Sequence, residues 1–203
     1  LNVKSLYKFI FIIICLFTTN ITKAQCLQAN IVLLIDWSGS EAGNEAYLAH
    51  SALLFMEKLP IKEHAVQLSI ITFSNDGTLV VPITYDKERL TNSILSLVLT
   101  RANGGTNIGG ATKLALDELT ANERGVRNLI IIISDGEIDD YALAMEYIKT
   151  AEKIITLNIF AVQIGGDEEG AYILLQLTGD VKNIVASTSR DLVEALLRLD
   201  LCN

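Results

Sequence analysis

Proline is nearly absent from this sequence, with Pro60 and Pro82 the only two in 203 residues. With no low-complexity tract either, that excludes extended linkers and points to a single well-cored domain. Histidine is equally scarce. His50 and His64 are the only two, and neither stands in a loop that follows an apolar strand, so no general base is at hand for a serine nucleophile. The sequence has no Gly-x-Ser-x-Gly elbow and no Walker loop. Basic residues are outnumbered, 16 against 24 acidic, for a formal charge of −8. That disfavours nucleic acid and anionic membrane surfaces as partners. The longest unbroken apolar run, residues 9–17, is too short for a stable bilayer anchor of roughly 20 residues.

What surrounds that run has a different meaning. Lys4 and Lys8 precede it, and Thr22-Lys23-Ala24 follows. A positive start, an apolar middle and a small-residue end form a secretory signal. The expectation is cleavage after Ala24, leaving a mature domain of residues 25–203, exported to the periplasm, the cell surface or the medium. Of the three cysteines, Cys15 would leave with the signal. Cys26 and Cys202 would then stand near the two ends of an exported domain, where a disulfide is chemically reasonable. A bridge closing so long a loop stabilises by roughly 5 kcal/mol in the chain-entropy model.

The remaining chain alternates two patterns. Residues 29–35 (ANIVLLI), 65–73, 129–133 (LIIII), 155–164 and 181–185 are short, apolar and rich in β-branched residues, as strands buried on both faces should be. Residues 78–83 follow an Asn75-Asp76-Gly77 turn signal and read as an antiparallel edge strand, where Pro82 is tolerated. Between the strands, residues 41–59, 86–98, 107–119, 139–153, 168–177 and 190–199 read as helices. In the first of these Leu48, Ala52, Phe55 and Leu59 fall on one stripe. Strands alternating with helices require crossovers. The expected fold is α/β, a doubly wound, mostly parallel sheet covered on both faces. Such sheets place their sites at the carboxyl ends of the strands.

Three loops at those ends carry oxygen ligands. Asp36-Trp37-Ser38-Gly39-Ser40 follows the first strand, Gly104-Gly105-Thr106-Asn107 opens a helix, and Ser134-Asp135-Gly136 follows the LIIII strand. From them Ser38, Ser40 and Thr106 offer three hydroxyls and Asp36 and Asp135 two carboxylates, with no histidine or cysteine. Hard oxygen donors of this kind select Mg²⁺, Mn²⁺ or Ca²⁺ over zinc or copper. Five such groups leave room for water or an outside ligand. Glu137, Asp139 and Asp140 read as an acidic rim or, more simply, as partners of a helix dipole. Trp37 reads as an exposed contact beside the metal, with packing under the loop as the alternative.

These residues resemble the metal-ion-dependent adhesion site of von Willebrand factor type A domains. The pattern there is Asp-x-Ser-x-Ser, then Thr, then Asp, and it stands here as Asp36, Ser38, Ser40, Thr106 and Asp135. The resemblance implies a Rossmann-like sheet of six strands. It implies that Ser38, Ser40 and, with ligand bound, Thr106 touch the metal directly, while Asp36 and Asp135 act largely through water. The implied function is non-enzymatic binding of a protein partner whose Asp or Glu carboxylate completes the coordination of Mg²⁺ (or Mn²⁺ or Ca²⁺). Two alternatives stand beside it. One is an Mg²⁺-dependent phosphohydrolase of the haloacid dehalogenase type with Asp36 as nucleophile, against which Ser38 replaces the expected second Asp. The other is a structural domain that keeps the site unused.

Overall fold

The computed structural model describes residues 28–201. The expected signal segment, Cys26 and Cys202 lie outside the described residues. Six strands form one sheet in the order β3-β2-β1-β4-β5-β6. They are β1 (Ala29–Asp36), β2 (Val66–Phe73), β3 (Gly77–Thr84), β4 (Arg127–Ser134), β5 (Leu157–Ile164) and β6 (Ile184–Ser187). Only β3 runs antiparallel, paired with β2. Every other neighbouring pair is parallel. Pro82 sits in this edge strand, where a missing N–H costs no ladder bond on the open side.

Helices cover both faces. Those helices are α1 (Glu45–Lys58), α2 (Lys87–Leu97), α3 (Ile108–Ala121), α4 (Tyr141–Ala151), α5 (Glu168–Thr178) and α6 (Leu192–Arg198). Alternate residues of β1 feed two separate cores. Ile31, Leu33 and Ile35 pack with Leu48 and Phe55 of α1, Leu90 and Ile94 of α2, and Leu192 and Leu196 of α6. Val32 and Leu34 pack with Ile108 and Leu119 of α3, Ile148 of α4, and Leu174 of α5. This explains the unbroken apolar runs: a strand covered on both faces has no side left for polar residues.

Two element boundaries differ from the sequence reading by more than two residues. The segment after Asp36 does not enter a helix at residue 41. It makes a 3-10 turn over Gly39–Glu41, passes Gly43 at φ +93°, and only then begins α1. The segment 181–185 is not a continuous strand. Asp180 accepts the Lys182 N–H and holds a 3-10 turn at Val181–Asn183, so β6 starts at Ile184.

The end of the sheet opposite the carboxyl ends is tied by one side chain. The Arg124 guanidinium donates to the carbonyls of Ala29 (3.1 Å) and Ala65 (2.6 Å) and to Asn30 Oδ1 (2.8 Å). Hydrogen bonds from a charged donor contribute about 1.5–3 kcal/mol each. Replacing Arg124 with Ala is expected to lower unfolding stability by about 2–4 kcal/mol, read from urea denaturation.

Candidate metal centre

Chain order reverses between β1 and β4: from β1 the chain builds outward to β2 and β3, then crosses back to β4 on the other side. The crevice above such a switch point is where open α/β sheets hold their ligands. Asp36 is the last residue of β1, and Asp135 directly follows β4. The structure places all five expected residues on the loops around this crevice.

The three loops are bonded to one another pairwise. Gly39 N–H donates to the Gly104 carbonyl (3.0 Å) and Asn103 N–H to the Trp37 carbonyl (3.0 Å), joining the first loop to the second. Thr106 N–H donates to Asp139 Oδ2 and Asp139 N–H returns to the Thr106 carbonyl, both at 3.1 Å, joining the second to the third. Ser134 Oγ donates to Asp36 Oδ2 at 2.6 Å, joining the third to the first. Asp36 Oδ1 accepts from the Ser38 N–H at 2.9 Å, and the Ser38 and Ser40 hydroxyls stand 3.0 Å apart.

Ser134, Asp139 and Asn75 carry structural roles that the sequence reading missed. Asn75 Oδ1 accepts the Gly105 N–H at 2.8 Å and steadies the glycine turn before Thr106. Asp140 accepts the Gly109 N–H at the start of α3. Asp139 and Asp140 thus tie loops and helix starts together rather than forming a loose acidic rim. The only sequence signal for Ser134 was its place directly before Asp135.

Trp37 requires a correction. It is not an exposed contact: the residue is 7% exposed and belongs to the core that contains α1 and α2. Its N–H donates to the Phe73 carbonyl and its own carbonyl accepts from Asn103. Those two bonds continue the strand's direction for one more residue, and the indole turns into the interior. Among the described residues its Nε1 has no hydrogen-bond partner.

The electrostatics fit a cation. Asp36 is 0% exposed and Asp135 8%, and among the described residues no lysine, arginine or histidine forms an ion pair with either. Burial pushes the Asp36 carboxyl above its ordinary range. The Ser134 and Ser38 bonds pull it back, and the Asp135 charge raises it further. Burial likewise lifts Glu41 to about 7, opposed by its Asn44 bond and reinforced by Asp36 and Asp135. Buried carboxylates without a cationic partner are costly, and metal coordination is the usual remedy. The donors are hydroxyls and carboxylates, suited to a hard divalent ion. Asp36, Ser38, Ser40, Thr106 and Asp135 are the residues that would hold it. Among the described residues no group of three or more His, Cys, Asp or Glu side chains could hold a metal ion.

Two polar clefts open on this face. One of about 280 Å³ is lined by Ser40, Glu41, Asn44 and Asp135, the other of about 370 Å³ by Thr106, Glu137, Asp139 and Asp167. A larger apolar cleft, 440 Å³, lies between α3 and α4 beside Leu116, Tyr147 and Ile154, and contains none of the five candidate residues. No helix among the described residues is long and apolar enough to cross a membrane.

Known proteins share this architecture. Manganese-loaded TRAP protein of Plasmodium vivax superposes with a TM-score of 0.68 at 17% identity, over 84% of this chain and 72% of that one. The pilus adhesin SpaC of Lactobacillus rhamnosus GG gives 0.69 at 16% identity, over 84% of this chain and 30% of that one. An uncharacterized protein of Borreliella burgdorferi is 24% identical over 146 residues. This chain spans 42% of that relative's length, so it corresponds to a part of a longer protein there. The family model for the von Willebrand factor type A domain matches residues 30–198, and the chain belongs to that family.

Proposed function

We propose that the protein is an exported, non-enzymatic adhesion module that binds a partner protein's Asp or Glu carboxylate through a divalent cation at Asp36, Ser38, Ser40, Thr106 and Asp135. The observation that carries this reading is the buried pair Asp36 and Asp135 at the switch point, without a basic partner among the described residues and ringed by three mutually bonded hydroxyl loops. Similarity to a pilus adhesin and to a manganese-loaded domain supports both halves of it. Two buried acids neutralise a divalent ion without giving it excess negative charge. An outside carboxylate is then attracted to a vacant position. The phosphohydrolase alternative gains no support from the family match.

Calorimetric titration with Mg²⁺ and Mn²⁺ tests the site. The wild-type domain is expected to bind one ion. Thr106→Ala is expected to retain that ion while binding a soluble carboxylate about tenfold more weakly, since loss of one hydrogen-bonding or coordinating group costs about 1–2 kcal/mol. Equal carboxylate affinity in the two proteins would remove Thr106 from the role assigned to it.

Export and the Cys26–Cys202 bridge belong to the same proposal. Leu201, beside Cys202, has its carbonyl bonded by the Arg127 guanidinium, and Arg127 stands in register with Ala29. The described residues next to both cysteines therefore lie at one end of the sheet. A thiol assay of residues 25–203, denatured without reductant, is expected to find no free thiol; two would mean there is no bridge.

A further inference from the structure

We propose that Glu41 is a third carboxylate of the cation site, acting through water, and that it strengthens cation binding while weakening the pull on a partner's carboxylate. The inference rests on the metal-dependent reading above. Glu41 follows Ser40 at the end of the 3-10 turn and is 2% exposed. Its Oε2 accepts one bond, from Asn44 Nδ2 at 3.1 Å. Among the described residues no basic side chain forms an ion pair with it. Placing a carboxylate there without a cation is unfavourable.

The neighbouring Glu45 shows what a structural carboxylate does in this region. Its two oxygens accept the N–H groups of Gly43 and Ala102, 2.8 and 3.1 Å away, and so fasten two loops. Among the described residues no backbone N–H donates to the Glu41 carboxylate. Its surroundings are the cleft that it shares with Ser40, Asn44 and Asp135. Across this cleft Glu41 would act through water on an ion held by Ser38 and Ser40. Groups that act on a metal through such an outer layer typically change its affinity by 10–100-fold.

The charge count gives the second half of the proposal. Asp36 and Asp135 bring a divalent ion to formal neutrality. Glu41 takes the site to one net negative charge, which holds the ion more firmly and repels an incoming carboxylate. The partner must then supply more than a bare carboxylate, and Glu41 becomes a filter against small free acids.

Glu41→Gln keeps the shape and one acceptor for Asn44, and removes the charge. Calorimetry with Mg²⁺ and Mn²⁺, followed by acetate titration at saturating cation, is run on wild type, Glu41→Gln and Asp36→Asn. Thermal unfolding in EDTA accompanies it. The expected result for Glu41→Gln is roughly 10–100-fold weaker cation binding, tighter acetate binding, and no loss of metal-free stability. Cation affinity equal to wild type in Glu41→Gln, with binding abolished in Asp36→Asn, overturns the role of Glu41 and leaves the site intact. Lower metal-free stability in Glu41→Gln makes Glu41 a structural residue and also overturns it. Absence of cation binding in the wild type overturns the site and this inference together.

Discussion

Asp36→Asn is expected to weaken Mg²⁺ and Mn²⁺ binding by at least about 100-fold without unfolding the domain. The asparagine keeps an oxygen to accept the Ser38 N–H and an amide group to face Ser134 Oγ, the two contacts that the aspartate makes at 2.9 and 2.6 Å. What disappears is the charge, buried at 0% exposure. Because burial opposes that charge when no cation is present, the metal-free variant is expected to be as stable as the wild type or more so. Asp36→Ala is a poorer probe. It strands the Ser38 N–H and the Ser134 hydroxyl, at about 1–3 kcal/mol for each unsatisfied group, and would confuse loop collapse with loss of charge. Calorimetry and thermal unfolding in EDTA separate the two effects. Cation affinity unchanged in Asp36→Asn would sink the assignment of the site.

The second large effect is expected from Gly136→Ala. Gly136 has φ +91°, a region that L side chains rarely adopt. A Cβ there would stand 2.6 Å from both Cα and O of Gly170 at the start of α5, and Gly170 itself leaves no room, since its own Cβ would lie 2.5 Å from the Asp135 carbonyl oxygen. Two backbones touch at this point, and neither can give way without moving Asp135. Strain and clash together are expected to cost about 3–5 kcal/mol, lowering Tm by about 10 °C. Cation binding should weaken at the same time because Asp135 is displaced. A wild-type midpoint in urea would mean that the contact between the β4 loop and α5 is looser than these distances indicate.

The sheet was legible in the sequence because its strands are covered on both faces. Residues 31–35 and 129–133 carry no polar side chain, as a strand sandwiched between helices should. Pro82 and the Asn75-Asp76-Gly77 turn marked the antiparallel edge, and the structure has β3 there. The segment after Asp36 was harder. Its helical stripe, Leu48, Ala52 and Phe55, is real and buried, but the turn that delays α1 depends on Gly43 adopting positive φ, which no periodicity reveals.

By itself, the sequence determined the α/β alternation and the three oxygen-bearing loops, because hydrophobic period and ligand type are local properties of the chain. Tertiary structure alone decided how those loops are held. Ser134 meets Asp36 across 98 residues and Asp139 meets Thr106 across 33, contacts that exist only once β1 and β4 are adjacent in register. It also decided that Trp37 is core and that Glu41 is buried. Both sit in a polar loop where composition predicts exposure. The Trp37 N–H donates to the Phe73 carbonyl and its carbonyl accepts from the Asn103 N–H, which extends the alternation of β1 and sends the indole to the core, and one 3-10 turn carries Glu41 under the surface. Burial of a single side chain depends on what the rest of the chain brings beside it, which local sequence does not encode.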